Sequence, residues 1–134
     1  MTGGDEVRRL TREALAHLRS YKADHMRGDH EHALADLMNA WRSLAAAFAV
    51  RLAEYPGYAE KVVAAVKDGG LKGLLLGGLD PSRLPARLGE AAEKLVDAWM
   101  HMEPSSEERA AEDMAEALEA LLDSDPATLC RHRR

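Results

Sequence analysis

The sequence predicts an all-α fold: a bundle of five or six mostly antiparallel helices, with one long central buried helix at about residues 30–55. Three observations lead there. Alanine and leucine dominate the apolar share of 46%, while aromatics are only 4%. Those two residues head the helix-propensity ranking, and the β-branched and aromatic residues that favour strands are scarce. Apolar residues also recur at spacings of three and four over long runs, the period of one helical face. Finally, the runs are separated by helix stops and starts: Gly28-Asp29, Tyr55-Pro56-Gly57, Asp80-Pro81 and Pro104. With 134 residues the chain can bury one core, so a single domain over 1–134 is expected, with residues 1–4 loose.

The first helix is expected from about Asp5 to Arg27, with Val7, Leu10, Ala14, Leu18 and Tyr21 inward and Leu15 and Met26 beside them. Gly28 supplies a residue that tolerates the left-handed backbone at a helix C-terminus, and Asp29 can cap the next helix. The second helix carries Leu34, Leu37, Met38, Trp41, Leu44, Ala45, Phe48 and Leu52. Between Leu44 and Ala53 its only polar residue is Arg51, so apolar groups lie on every side and the helix should be enclosed by others. A short third helix, about 58–67, is expected to turn Val62, Val63 and Val66 inward. Asp68 to Leu79 (DGGLKGLLLGGL) then places Leu71, Leu74, Leu75 and Leu76 among five glycines, read as a short helix at 71–76.

Asp80-Pro81 is a cap followed by a proline suited to a first helical turn. The fifth helix is expected over about 85–102 with Leu84, Leu88, Ala92, Leu95, Trp99 and Met102 inward. Pro104 ends it, and Ser105 with Glu108 matches a capping box. The sixth helix, about 106–122, should face Ala111, Met114, Leu118, Leu121 and Leu122 inward. Residues from about 126 to 134 read as a frayed basic tail.

Net charge is −5 and unevenly placed. Residues 103–125 carry nine acids against Arg109 alone, while Arg131, Arg133 and Arg134 make the tail basic. Nucleic-acid binding wants a coherent basic face, and none dominates, so that partner is disfavoured. Cys130 is the one cysteine, which excludes an intrachain disulfide and fits a reducing cytoplasm. The longest near-apolar stretch is far short of the roughly 20 residues that span a bilayer, so no membrane partner is expected.

Three places could carry chemistry. His25, His30 and His32 cluster at the hairpin between the first two helices, beside Asp24, Asp29 and Glu31. Imidazoles with carboxylates are a transition-metal donor set. His30 and His32 are two apart on one helix and point away from each other, so His25 can approach only one of them. Arg12–His17 and Arg27–His32 share an R-x4-H spacing used by one class of helical ribonuclease, a pattern that arises readily by chance in a chain with this many Arg and His. Cys130 lies beside Arg131, but a tail offers neither a fixed base nor a dry pocket. No phosphate loop, catalytic triad or cofactor motif is present.

The function expected from sequence is therefore non-enzymatic: a helical protein–protein interaction module, as a homodimer or as a small subunit of a larger assembly. Its contact is expected to use Ala46, Ala47 and Val50, then Leu71, Leu74, Leu75 and Leu76, because the second helix and the Gly/Leu segment hold more apolar surface than one covered face needs. The alternatives are a metal-binding helical protein or enzyme built on the histidine corner, and a nucleic-acid-associated regulator using Arg8, Arg9, Arg12 and the tail.

Overall fold

The computed structural model of the protein describes residues 3–68, 70–77, 79–85 and 87–124. Among the described residues are α1 (Gly3–Met26), α2 (His30–Ala53), α3 (Ala59–Asp68), α4 (Gly70–Gly77), α5 (Leu88–Met100) and α6 (Glu107–Asp123), with short 3-10 turns at Pro81–Arg83 and Pro104–Ser106 and no strand. The all-α expectation holds. No helix among these residues is long and apolar enough to cross a membrane. Cys130 and the basic tail lie outside the described residues, as does the start of the expected loose N-terminus; Gly3 and Gly4 already belong to α1.

α1 and α2 form an antiparallel hairpin, and the sequence signals at its corner act as expected. Gly28 takes φ +75°. Its N–H donates to the His25 carbonyl at 3.0 Å, and the Asp29 N–H to the Asp24 carbonyl at 2.9 Å. This pair of bonds satisfies carbonyls that the last turn of α1 would otherwise leave open. Asp29 then caps α2, its Oδ1 accepting from the His32 N–H at 3.2 Å. The α1 stripe buries Val7, Leu10, Ala14 and Tyr21, with Leu18 half-buried; Met26, at the corner, is exposed.

α2 touches each of the other five helices. Leu37, Trp41, Leu44, Ala45, Phe48 and Leu52 are buried along it, and so are Ala33, Ala40, Ala47 and Ala49. The alanines lie between the large side chains and permit close approach of neighbouring helices. Arg51, the one polar residue in this stretch, is buried and reaches Glu54 at 2.9 Å.

Several elements depart from expectation. In α3 only Val62 is buried; Val63 and Val66 are each 54% exposed. The inward seam runs through Tyr58, Val62 and Ala65, spaced four and three, and leaves the other two valines on the outer side. α5 begins at Leu88, not Pro85, because Pro81–Arg83 forms a separate turn capped by Asp80, whose carboxylate accepts from Ser82 N–H at 3.0 Å. That turn lies directly on the first turn of α5: a Cβ placed on Gly89 would stand 2.3 Å from the Pro81 carbonyl oxygen. The expected capping box does not form either. Ser105 sits in the second 3-10 turn, Ser106 takes the N-cap position without a side-chain cap, and Glu108 turns toward α1.

The inward face of α6 is rotated from the one expected. Ala110, Met114, Ala117, Ala120 and Leu121 are buried, Ala111 and Leu118 are half-buried, and Leu122 is exposed. The small residues face the core and let α6 pack closely on α5. Polar contacts join α6 to α5 and its caps: Lys94 pairs with Glu116 at 2.8 Å, Arg87 at the N-cap with Asp123, and His101 Nδ1 at the C-cap lies 3.1 Å from Asp113.

Candidate metal centre at the corner of α1, α2 and α6

The Gly28 turn places His25 in the last turn of α1 and His30 at the first position of α2. The N-terminus of α6 is packed against this corner, and it brings Glu107, 77 residues beyond His30, between the two rings. Glu107 Oε1 lies 2.5 Å from His25 Nδ1 and 3.1 Å from His30 Nδ1. The ligating atoms of His25, His30 and Glu107 all fall within 4.8 Å of one another. The rings stand edge to face at 6.0 Å, and His25 stacks on Tyr21 at 5.4 Å.

Glu107 is the residue that sequence reading missed. Its neighbours on α6 (Glu108, Glu112, Glu116, Glu119) are exposed, but Glu107 itself is only 2% exposed. A signal was present in the sequence. Glu107, Ala110, Met114, Ala117 and Leu121 follow one another at spacings of three and four, so the buried stripe of α6 begins with an acid. A buried carboxylate requires compensation. Its Oε1 receives two imidazole contacts, while Oε2 is buried with no hydrogen-bond partner. The Tyr21 hydroxyl is likewise buried and unpartnered. Burial, and after it the fields of Glu107, Glu108 and Glu112, push the Tyr21 pKa up to about 12. The phenol is therefore held neutral beside this acidic cluster.

His25 meets carboxylates at both ring nitrogens: Glu107 at Nδ1 and Glu108 at Nε2, the latter at 2.9 Å. An imidazole can donate at both nitrogens only as the imidazolium. Accordingly its pKa is raised, first by the Glu107 hydrogen bond and then by that to Glu108.

His32 takes no part. It turns back to its own helix cap, with Nδ1 2.6 Å from Asp29 Oδ2, and that contact raises the His32 pKa. Geometry thus selects His30 over His32 as the partner of His25, as the opposed directions on α2 require. The remaining acids of the corner form a second group. Asp36 on α2 lies near Asp24 on α1, with His17 and His32 in its surroundings, and burial, then the neighbouring Asp24 carboxylate, raises the Asp36 pKa to about 6.

The donor set suits a divalent transition ion. Imidazole nitrogen and carboxylate oxygen bind such ions at about 2.0–2.2 Å. A ligating histidine commonly donates its other N–H to a carboxylate, which fixes ring orientation. With Nδ1 of His25 directed at Glu107, its Nε2–H already donates to Glu108. The corner opens on one side to a cleft of about 580 Å³ flanked by Ser105, Ser106 and Arg109.

The expected contact residues are divided. Ala47, Leu74 and Leu75 are buried within the chain. The short helix α4 is a plug over the core at Leu74 and Leu75. Ala46, Val50 and Leu71 are half-buried against the core, and Leu76 is exposed. Of the arginines considered for nucleic acid, Arg8 faces Asp5, and Arg9 faces both Glu6 and Glu13. His17 of the R-x4-H pattern belongs to the electrostatic surroundings of Asp36, while Arg12 is exposed. Comparison with known protein families, curated proteins and solved structures finds no match to this chain.

Proposed function

We propose that this chain is a helical metal-binding protein whose corner of His25, His30 and Glu107 holds one divalent transition ion. The observation that carries the reading is the convergence of two imidazoles and one buried carboxylate, with ligating atoms within 4.8 Å, from three separate helix ends. The unpartnered Oε2 of Glu107 supports it, because a buried carboxylate oxygen is costly without a donor or a cation. Imidazole and carboxylate together suit zinc and its neighbours rather than magnesium or calcium. Three protein ligands are also the pattern of sites that keep a position for water or another small ligand, and the cleft beside Ser105 and Ser106 has room for one.

The test is a metal titration of untagged, chelator-stripped protein. One equivalent of Zn²⁺ per chain is expected to bind. At a free concentration about 100-fold above Kd it should stabilise the fold by about 2.7 kcal/mol. Glu107→Gln and His30→Ala should abolish that gain, and His32→Ala should retain it. Substoichiometric binding, or equal losses at His30 and His32, would refute the assignment.

The interaction-module reading keeps one specific support. Val63 and Val66 on α3, like Leu76 on α4, are apolar side chains left exposed among the described residues. Self-association through them predicts a concentration-dependent mass in light scattering, which Val63→Glu with Val66→Glu should abolish. A strict monomer at micromolar concentration rules out the homodimer.

A further inference from the structure

A second site lies on the other side of α2, independent of the histidine corner. Trp41 and Trp99, the only tryptophans of the chain, meet there with ring centroids 4.9 Å apart. Trp41 is buried and fixed: its Nε1–H donates to the Leu95 carbonyl at 2.7 Å. Trp99 is half-buried, so part of its ring faces outward. Between α2, the start of α4 and the end of α5 the two indoles line a cleft of about 340 Å³, with Met38 and Leu71 completing its apolar wall. That volume falls at the small end of ligand sites, which run from about 300 to 1,000 Å³.

Two cations stand at this cleft. Lys72 Nζ lies 4.5 Å from the centroid of the Trp99 ring, and Arg42 also borders the opening. Both side chains are exposed, and neither pairs with a carboxylate among the described residues. Gly70 lines the same opening, and a Cβ there would meet nothing within 4 Å. An aromatic and aliphatic wall with two unneutralised cations at its mouth is complementary to a molecule with an apolar body and one anionic end. The body would stack on indole, and the anion would take the ammonium and guanidinium that the protein leaves without acids.

We propose that the Trp41–Trp99 cleft binds a small amphipathic carboxylate, an aryl- or medium-chain alkyl-carboxylic acid, with its apolar part against the indoles and its carboxylate between Lys72 and Arg42. Because both tryptophans line the cleft, intrinsic fluorescence reports binding there. The experiment titrates the full chain with 4-phenylbutyrate and with octanoate, each beside the alcohol of the same skeleton. Saturable changes in tryptophan emission are expected with the carboxylates, at affinities at least about tenfold above those of the alcohols. Arg42→Gln combined with Lys72→Gln, both at exposed positions, should erase the preference and leave the thermal midpoint of the free protein unchanged. Trp99→Phe should weaken both members of each pair. Equal binding of acid and alcohol, or no saturable change with either acid, overturns the proposal. So does a preference for the acid that persists in the Arg42→Gln, Lys72→Gln variant.

Discussion

Glu107 stands where the register of α6 provides for an apolar side chain, and that position has a stability consequence. Buried ion pairs are often no more stable than apolar replacements of similar size. Glu107→Met should therefore leave the metal-free protein within about 1 kcal/mol of the parent, while removing any stabilisation by Zn²⁺. Thermal unfolding in chelator and in Zn²⁺ checks both halves. Asp36 carries a pH prediction. Its folded pKa, about 6, lies above the ordinary aspartate value of 3.8, so the folded state keeps a proton that the unfolded chain gives up. Stability from this group is intact below pH 3.8 and falls as pH rises through 6. Asp36→Asn, which removes the titrating group at nearly the same size, should flatten that decline. At pH 7 it should raise the melting temperature by roughly 3–5 °C for about 1 kcal/mol, and at pH 4 it should change little. The histidine corner was legible in the sequence because His25 and His30 flank one tight turn. Glu107 was not, since periodicity alone does not tell which of two adjoining registers of α6 faces the core.

Among the elements, the α1–α2 hairpin followed directly from local chemistry. Gly28 and Asp29 fix its geometry through backbone and cap bonds that involve only nearby residues. α5 did not follow, because its start depends on a contact outside its own helical period. Gly89 accepts the Pro81 carbonyl where any side chain would collide. Gly89→Ala should therefore destabilise by about 1–3 kcal/mol, in spite of the better helix propensity of alanine. A lower denaturant midpoint with an unchanged m-value is the expected observation. The capping box at Ser105 and Glu108 failed for a related reason: Glu108 bonds to His25 on another helix, and a tertiary partner overrode the local one. In α3, three valines within five residues gave no unique face, and packing chose Val62 with Ala65.

For the whole molecule, the helical class was readable from composition and spacing, because alanine-rich runs separated by cap and breaker residues have few other folds open to them. The use of the apolar surplus was less readable. Excess hydrophobicity on α2 and in the Gly/Leu segment is absorbed in part within the chain, at Ala47, Leu74 and Leu75, while exposed apolar side chains are spread over α1, α3, α4, α5 and α6, with Val63 and Val66 among them. The acidity of α6 is also partly internal, spent on Lys94 of α5 and on Arg87 at its N-cap. One long-range contact orders these parts. His25 and Glu107 are 82 residues apart, and between them the chain runs through α2, α3, α4 and α5 before returning. Their meeting closes that stretch into a ring, from which α1 and α6 extend in opposite chain directions. Opening the ring would let α6 lift from α1 while Trp41 stays tied to Leu95 inside the circuit. Amide hydrogen exchange should accordingly quicken first at the N-terminal turn of α6 in Glu107→Gln, with the amides of α2 around Trp41 remaining slow.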